Sequence, residues 1–343
     1  MNNTIVSFII PSYNYARYIE QCVHSIQNQT VKDIEIIIVN DGSTDNSKEV
    51  IDALAQQDSR IVAIHKENAG VSAARNSAID VAKGEYLVFV DADDFIAPEY
   101  AEYMLDIANK TGAEFVISTD WFTRAGEPQT INDEIVALTP EDATTLLLSP
   151  RVIVGSCNKM YKKSLFVDNN IRFNPNLFYG EGLRVITQIA QLANCTGVGH
   201  RKVYYYRRSN DASACTKFNL EKMKNGLKSI DTIQNDLIIR TPKVLRMIEF
   251  HRCQFYMGIV VRMQAASMVK EYQEYYDECI SYVREHVCSC MNQKGASLYK
   301  RSLLVGTAIC PWIMAKLDIW RRNRIKANSV EEIDYKNSAG YLK

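Results

Sequence analysis

The nine cysteines are odd in number and scattered from position 22 to position 310. None stands at the CxxC spacing of a zinc site or redox pair, so they read as reduced cytosolic thiols. Histidine is scarce, with five in 343 residues, and no G-x-S-x-G elbow occurs, which argues against a hydrolase. Neither sign of charge is in excess. The 40 basic side chains meet 40 acidic ones, which removes the usual electrostatic argument for a nucleic-acid partner. The segment from Met1 to Ile10 has no basic n-region and no small-residue cleavage site, so the expected location is the cytoplasm.

What is present is an alternation of short apolar runs and amphipathic stretches. Ile5 to Ile10, ended by Pro11, reads as a buried strand. Ile19, Cys22, Val23 and Ile26 fall at i, i+3, i+4 and i+7, one face of a helix. The pattern repeats with a strand at Ile34 to Val39, a helix face of Val50, Ile51 and Leu54, and a strand at Ile61 to Ile64. A helix from about Val71 to Ala82 and a strand at Tyr86 to Val90 follow. Such alternation predicts an α/β fold, a mostly parallel sheet flanked by helices through right-handed crossovers. Residues 1–118 are read as a donor half and 119–217 as an acceptor half, and 218–343 as a helical C-terminal extension.

Ligands of open parallel sheets sit at the C-terminal ends of the strands. Here those ends carry Pro11-Ser12-Tyr13-Asn14, Asn40-Asp41-Gly42-Ser43-Thr44-Asp45 and Asp91-Ala92-Asp93-Asp94, which should converge on one cleft. Asp91, Asp93 and Asp94 at one strand end call for a counter-charge, because like charges in a partly dry cleft raise one another's pKa. Hard oxygen ligands suit Mg2+ or Mn2+, with substrate phosphates completing the shell. The structural alternative is that Asp93 and Asp94 only cap the next helix. Asp41 is placed to accept from the edge of a base, whereas helix capping alone accounts for Ser43, Thr44 and Asp45.

The P-S-Y-N turn, the N-D-G-S-x-D turn, the segment Asn68 to Asn76 (N-x-G-x-x-x-A-R-N) and the D-x-D-D motif stand in that order. Together they resemble family 2 of the glycosyltransferases, over about residues 4 to 210. The resemblance implies a GT-A fold and an inverting transfer from a nucleoside diphosphate sugar, commonly a UDP-sugar. It places Pro11, Tyr13 and Asp41 around the base, with Asn68 and Arg75 nearby. Asp91, Ala92 and Asp93 hold the ribose, and Asp93, Asp91 and Asp94 the metal, Asp93 foremost. The implied acceptor is a hydroxyl of a glycan or lipid-linked saccharide in surface glycan assembly. Arg208 and Ser213 match a family stretch that approaches the donor diphosphate. The segment around Lys159 also resembles the family, though a solvated basic face is the plainer reading of it.

The chain departs from the family at the base. Members carry G-E-D, whereas this sequence has Gly180-Glu181-Gly182. Glu181 is the favoured base; the alternatives are another carboxylate, or a non-catalytic or weakly active sugar-nucleotide-binding relative. A nicotinamide-dependent oxidoreductase lacks its G-x-G-x-x-G, and a nucleotidyltransferase lacks its glycine-rich triphosphate loop. Near the end, Leu303 to Ala315 is apolar but interrupted by Pro311, and falls short of the roughly 20 residues that span a bilayer. Basic residues flank it from Lys300 to Lys326, a pattern that suits either peripheral contact with the inner face of the cytoplasmic membrane or a helix packed on the protein.

Overall fold

The computed structural model describes residues 4–123, 126–207, 218–292 and 296–327. Strands β1 (Val6–Ser12), β2 (Ile34–Asp41), β3 (Ile61–Lys66) and β4 (Tyr86–Phe89) alternate with helices α1 (Ala16–Gln27), α2 (Ser47–Gln57) and α3 (Val71–Val81). Then come β5 (Phe95–Ile96), α4 (Tyr100–Thr111), β6 (Phe115–Ser118), β7 (Val136–Leu138), α5 (Pro140–Leu148), β8 (Lys159–Lys162) and α6 (Lys163–Asp168). Helix α7 (Glu181–Leu192), β9 (Thr196–Gly199) and β10 (Tyr204–Tyr205) close this part. Helices α8 (Leu220–Asp236), α9 (Pro242–Ala265), α10 (Gln273–Met291), α11 (Leu298–Ile309) and α12 (Pro311–Ala327) make up the rest.

The large sheet runs β3-β2-β1-β4-β8-β6-β9-β7. Its first four strands are mutually parallel, as the alternation predicts. Beyond them the sheet is mixed: β8 is antiparallel to β4 and β6, and β7 to β9. Strand β1 continues through Pro11 to Ser12, past the expected stop. Pairing with β4 has ended at Ile9 opposite Phe89, so the missing proline N–H costs no bond on that side.

Alternating side chains of β1 feed two apolar layers. Phe8 and Ile10 join α1, α2 and α4 through Ile19, Ile51 and Met104 on one face. Ile9 joins α3, α5 and α7 on the other, through Ala78, Leu147 and Ile186. That second layer continues without a break into Ile230, Ile233, Met247 and Phe250 of α8 and α9. The expected apolar face of α1 is fully buried at Ile19, Cys22, Val23 and Ile26.

The loops after β1 and β2 are fastened together. Asp45 accepts the first N–H of two helices, from Ala16 at 3.1 Å and from Ser47 at 3.0 Å. Burial opposes the charge on Asp45, but hydrogen bonds from Ser47 and Ala16 win and hold its carboxyl below the ordinary 3.8. Asp45→Ala should therefore lower stability by about 1–2 kcal/mol, the cost of a lost cap. The folded pKa is depressed, so this contribution is present above the ordinary carboxylate range and disappears as pH falls through the depressed value. Urea unfolding of both proteins at neutral and acid pH measures the difference and its loss.

Candidate functional site

Because β1, β2, β3 and β4 are parallel, their C-terminal ends lie along one edge, and the three polar clusters meet there. Asn14 adopts the left-handed region at φ 58°. Its N–H donates to Ser43 Oγ at 2.9 Å and its Oδ1 accepts from Thr44 N at 2.8 Å. Ser43 and Thr44, expected only to cap, thus join the first two loops. Gly42, at φ +71°, backs onto the loop after β3: a Cβ there would lie 2.6 Å from Asn68 N. Pro11 is buried, Tyr13 is 46% exposed at the mouth, and Asn68 is exposed.

Asp41 does not present an open carboxylate to a base. It is 3% exposed and accepts from Lys66 Nζ at 2.8 Å, Gly70 N at 2.7 Å and Ala69 N at 3.1 Å. Its observed work is to hold the Asn68–Gly70 turn, and so the start of α3. That start places Arg75. The buried guanidinium donates from Nη2 to Asp91 Oδ1 at 3.1 Å and from Nη1 to Glu181 Oε1 at 2.9 Å. The Phe173 ring lies 5.2 Å from the guanidinium carbon. Burial works against the Arg75 charge, yet Asp91 and Glu181 outweigh it and raise the pKa. The sequence places Arg75 beside a nucleotide; in the structure it joins the acidic motif to the candidate base.

The acidic motif divides in two. Asp91 and Asp93 are partly exposed, whereas Ala92 and Asp94 are buried, so Ala92 has only its backbone to offer. Asp94 Oδ2 accepts from Tyr204 Oη at 2.7 Å and Oδ1 from Arg207 N at 2.8 Å. Burial, and then the charges of Asp93 and Asp91, push the Asp94 carboxyl well above the carboxylate range. Its oxygens are engaged internally, and it fixes the turn. Arg207 adds a bond from Nε to the Asp93 carbonyl at 2.7 Å. Among the described residues no group of three His, Cys, Asp or Glu side chains forms a ligand cage. The partly open Asp91 and Asp93 still fit Mg2+ or Mn2+, which bind through one or two carboxylates and take the rest of their shell from water and phosphate.

Glu181 opens α7, after Gly180 in the left-handed region at φ +87°. The loop before it is held from α8. Asn225 Oδ1 accepts from Phe178 N at 2.9 Å and Tyr179 N at 3.0 Å, and Ser229 Oγ donates to the Gly180 carbonyl at 2.8 Å. Behind Gly182 stands the 155–156 backbone: a Cβ would meet Ser156 N at 3.1 Å and Gly155 Cα at 3.2 Å. That backbone is gathered by Lys159, which is no solvated base. It is 1% exposed, and its ammonium donates to the carbonyls of Ile153, Gly155 and Cys157 at 2.9, 2.8 and 3.0 Å. Burial lowers its pKa from 10.5 to about 7.

Arg208 and Ser213 lie outside the described residues. Sequence reasoning missed Arg207, Asn225 and Ser229 as positioning groups. Tyr204, read as core packing, is buried and also supplies its hydroxyl to Asp94. A polar group at the end of an apolar strand run was the available signal for Arg207; nothing local marks Asn225 or Ser229.

Residues 7–168 match the family described as Glycosyl transferase family 2. Glycosyltransferase GlyG of Streptococcus pneumoniae serotype 4 is 32% identical over 229 residues, which cover 63% of this chain and 75% of that protein. EpsH of Bacillus subtilis is 36% identical over 179 residues, 50% of this chain and 51% of that protein. The chain thus spans about half the length of the first curated relatives it matches. Among solved structures, S. aureus TarS 1–349 in complex with UDP-GlcNAc superposes with a TM-score of 0.67 at 18% identity, over 93% of this chain and 91% of that one. That likeness concerns the fold.

Removing the guanidinium leaves Asp91 and Glu181 as two partly buried like charges without their shared partner. Arg75→Ala should cost about 3–5 kcal/mol, the range for breaking a buried ion pair. Arg75→Lys should recover only part of this, because an ammonium lacks the planar fork that reaches both carboxylates. Urea unfolding of the three proteins gives the comparison.

Proposed function

The chain belongs to family 2 of the glycosyl transferases, and from that premise we propose that it is a metal-dependent inverting glycosyltransferase. The donor is a nucleoside diphosphate sugar, and a UDP-sugar is the class to test first, since the TarS crystal with the shared fold holds UDP-GlcNAc. The acceptor is a hydroxyl of a glycan or lipid-linked saccharide. The observation that carries this reading is the Arg75 bridge, with Asp91 at 3.1 Å and Glu181 at 2.9 Å on one guanidinium. It sets the acidic donor motif and a carboxylate able to act as base against the same cleft.

In this reading Pro11 and Tyr13 frame the base, and Asp41 and Asn68 shape the turn beside it. Asp91 and Asp93 hold the Mn2+ or Mg2+, which when bound offsets charge on the departing diphosphate. Arg208 and Ser213 approach the diphosphate, as the family resemblance implies. Glu181 takes the proton of the acceptor hydroxyl as its oxygen attacks the anomeric carbon. The bond to the diphosphate breaks on the opposite side, so a single displacement inverts that carbon. The ion pair with Arg75 uses one Glu181 oxygen and orients the carboxylate. A side chain at 182 would press on the 155–156 backbone, so the fold accommodates glycine there, and Glu181 is the carboxylate that this segment retains. The same glycine favours one second reading, a sugar-nucleotide-binding relative without turnover.

Calorimetry should detect UDP binding that depends on manganese, and a panel of UDP-sugars then narrows the sugar. Absence of binding for every nucleoside diphosphate would overturn the glycosyltransferase reading. Asp93→Ala should abolish the metal-dependent part of binding; unchanged binding and activity at saturating manganese would remove Asp93 from the site. Glu181→Gln should leave UDP affinity unchanged and lower the transfer rate by about 10²–10⁴-fold, the range for a lost general base. Full activity in that variant would move the base elsewhere. Donor binding without turnover in the unmodified protein would establish the second reading.

A further inference from the structure

Helices α11 and α12 carry a surface that the donor reading does not use. From Leu298 to Ala327 the sequence holds seven basic residues and a single acid, Asp318, in a chain whose charges balance only when this segment is counted. Two of the protein's three tryptophans, Trp312 and Trp320, lie on α12 and are 52% and 61% exposed. At 100° per residue, Trp312, Ile313, Leu317, Ile319 and Trp320 fall within one arc of about 160°. All five are exposed, while Ala315 and Asp318 on the opposite side are covered. Within the apolar arc stand Lys316, its ammonium 5.0 Å from the Trp312 ring centre, and Arg324, its guanidinium carbon 5.6 Å from that of Trp320.

We propose that this face of α12 docks on an anionic lipid surface, with the two indoles at the headgroup level and the basic side chains on lipid phosphates. The combination of exposed indoles, aliphatic side chains and lysine or arginine on one helix face is what an interfacial helix requires. Charge complementarity selects the occupant. A second copy would bring an equally basic face against this one, whereas an anionic bilayer supplies the opposite sign. No helix among the described residues is long and apolar enough to cross a membrane. This inference stands apart from the donor site, and its test requires no sugar.

The test is flotation of the full chain with vesicles of phosphatidylcholine alone and of phosphatidylcholine mixed with phosphatidylglycerol. The protein should float with the mixed vesicles and not with the neutral ones, and its tryptophan emission should shift to the blue on binding. Replacing both indoles, Trp312→Ala with Trp320→Ala, should abolish flotation and the shift. Lys316→Gln with Arg324→Gln removes the two charges that stand beside the indoles. It should weaken vesicle affinity roughly 30-fold, taking about 1 kcal/mol per basic side chain at the surface. Circular dichroism and UDP affinity should be the same in both variants as in the parent. Equal flotation with both vesicle types, no flotation, or unchanged affinity in the charge variant would overturn the proposal. So would a lipid-free dimer in analytical ultracentrifugation that disappears with the indoles, which would assign the face to a second copy.

Discussion

A single buried guanidinium holds the site together. Arg75 meets Asp91 from one nitrogen and Glu181 from another. Without it, two carboxylates from distant parts of the chain would repel one another across a poorly solvated gap. The position of that guanidinium depends in turn on Asp41, which engages the backbone N–H groups of Ala69 and Gly70 where α3 begins. Two elements that read as separate motifs are therefore consecutive links: the carboxylate after β2 sets the helix, and the helix sets the bridge. A planar fork resting on Phe173 is needed for this, because one donor must face each acid while the flat face lies against a ring.

The rest of the cleft edge follows the same economy of shared partners. Asp45 serves the starts of α1 and α2 together, and Asn14 receives the Thr44 N–H while donating its own to Ser43. Asp94 is turned inward by Tyr204 and by the Arg207 backbone, whereas Asp91 and Asp93 are the partly exposed acids of the motif. A row of acids in sequence thus becomes a buried anchor and a partly exposed pair, because Asp94 turns inward onto donors supplied from more than a hundred residues away.

The parallel half of the sheet, the helix faces and the meeting of three polar clusters were legible in the sequence, because period-2 and period-3.6 patterns are local and strand direction follows from the crossovers. The mixed order of β8, β6, β9 and β7 was not, since antiparallel insertion depends on how the chain returns after α5 and no short-range pattern records that. Lys159 shows the same limit at a single residue. Beside Lys162 and Lys163 it looks like part of a solvated basic face, yet three carbonyls of a preceding loop enclose it. The internal partners of Asp41 and Asp94 were hidden for a related reason: sequence marks a carboxylate at a strand end but not the donors that reach it from other elements.

The grip of α8 on the loop before Glu181 bears on how such a protein can be recombined. Asn225 and Ser229 belong to the helical region by sequence, yet they fix the backbone of Phe178, Tyr179 and Gly180. A chimera cut at residue 217 would carry those two side chains away with the exchanged part. The smallest transplantable unit consequently extends through α8 and into α9, whose Val244, Met247 and Phe250 share one apolar layer with Leu147 and Ile186.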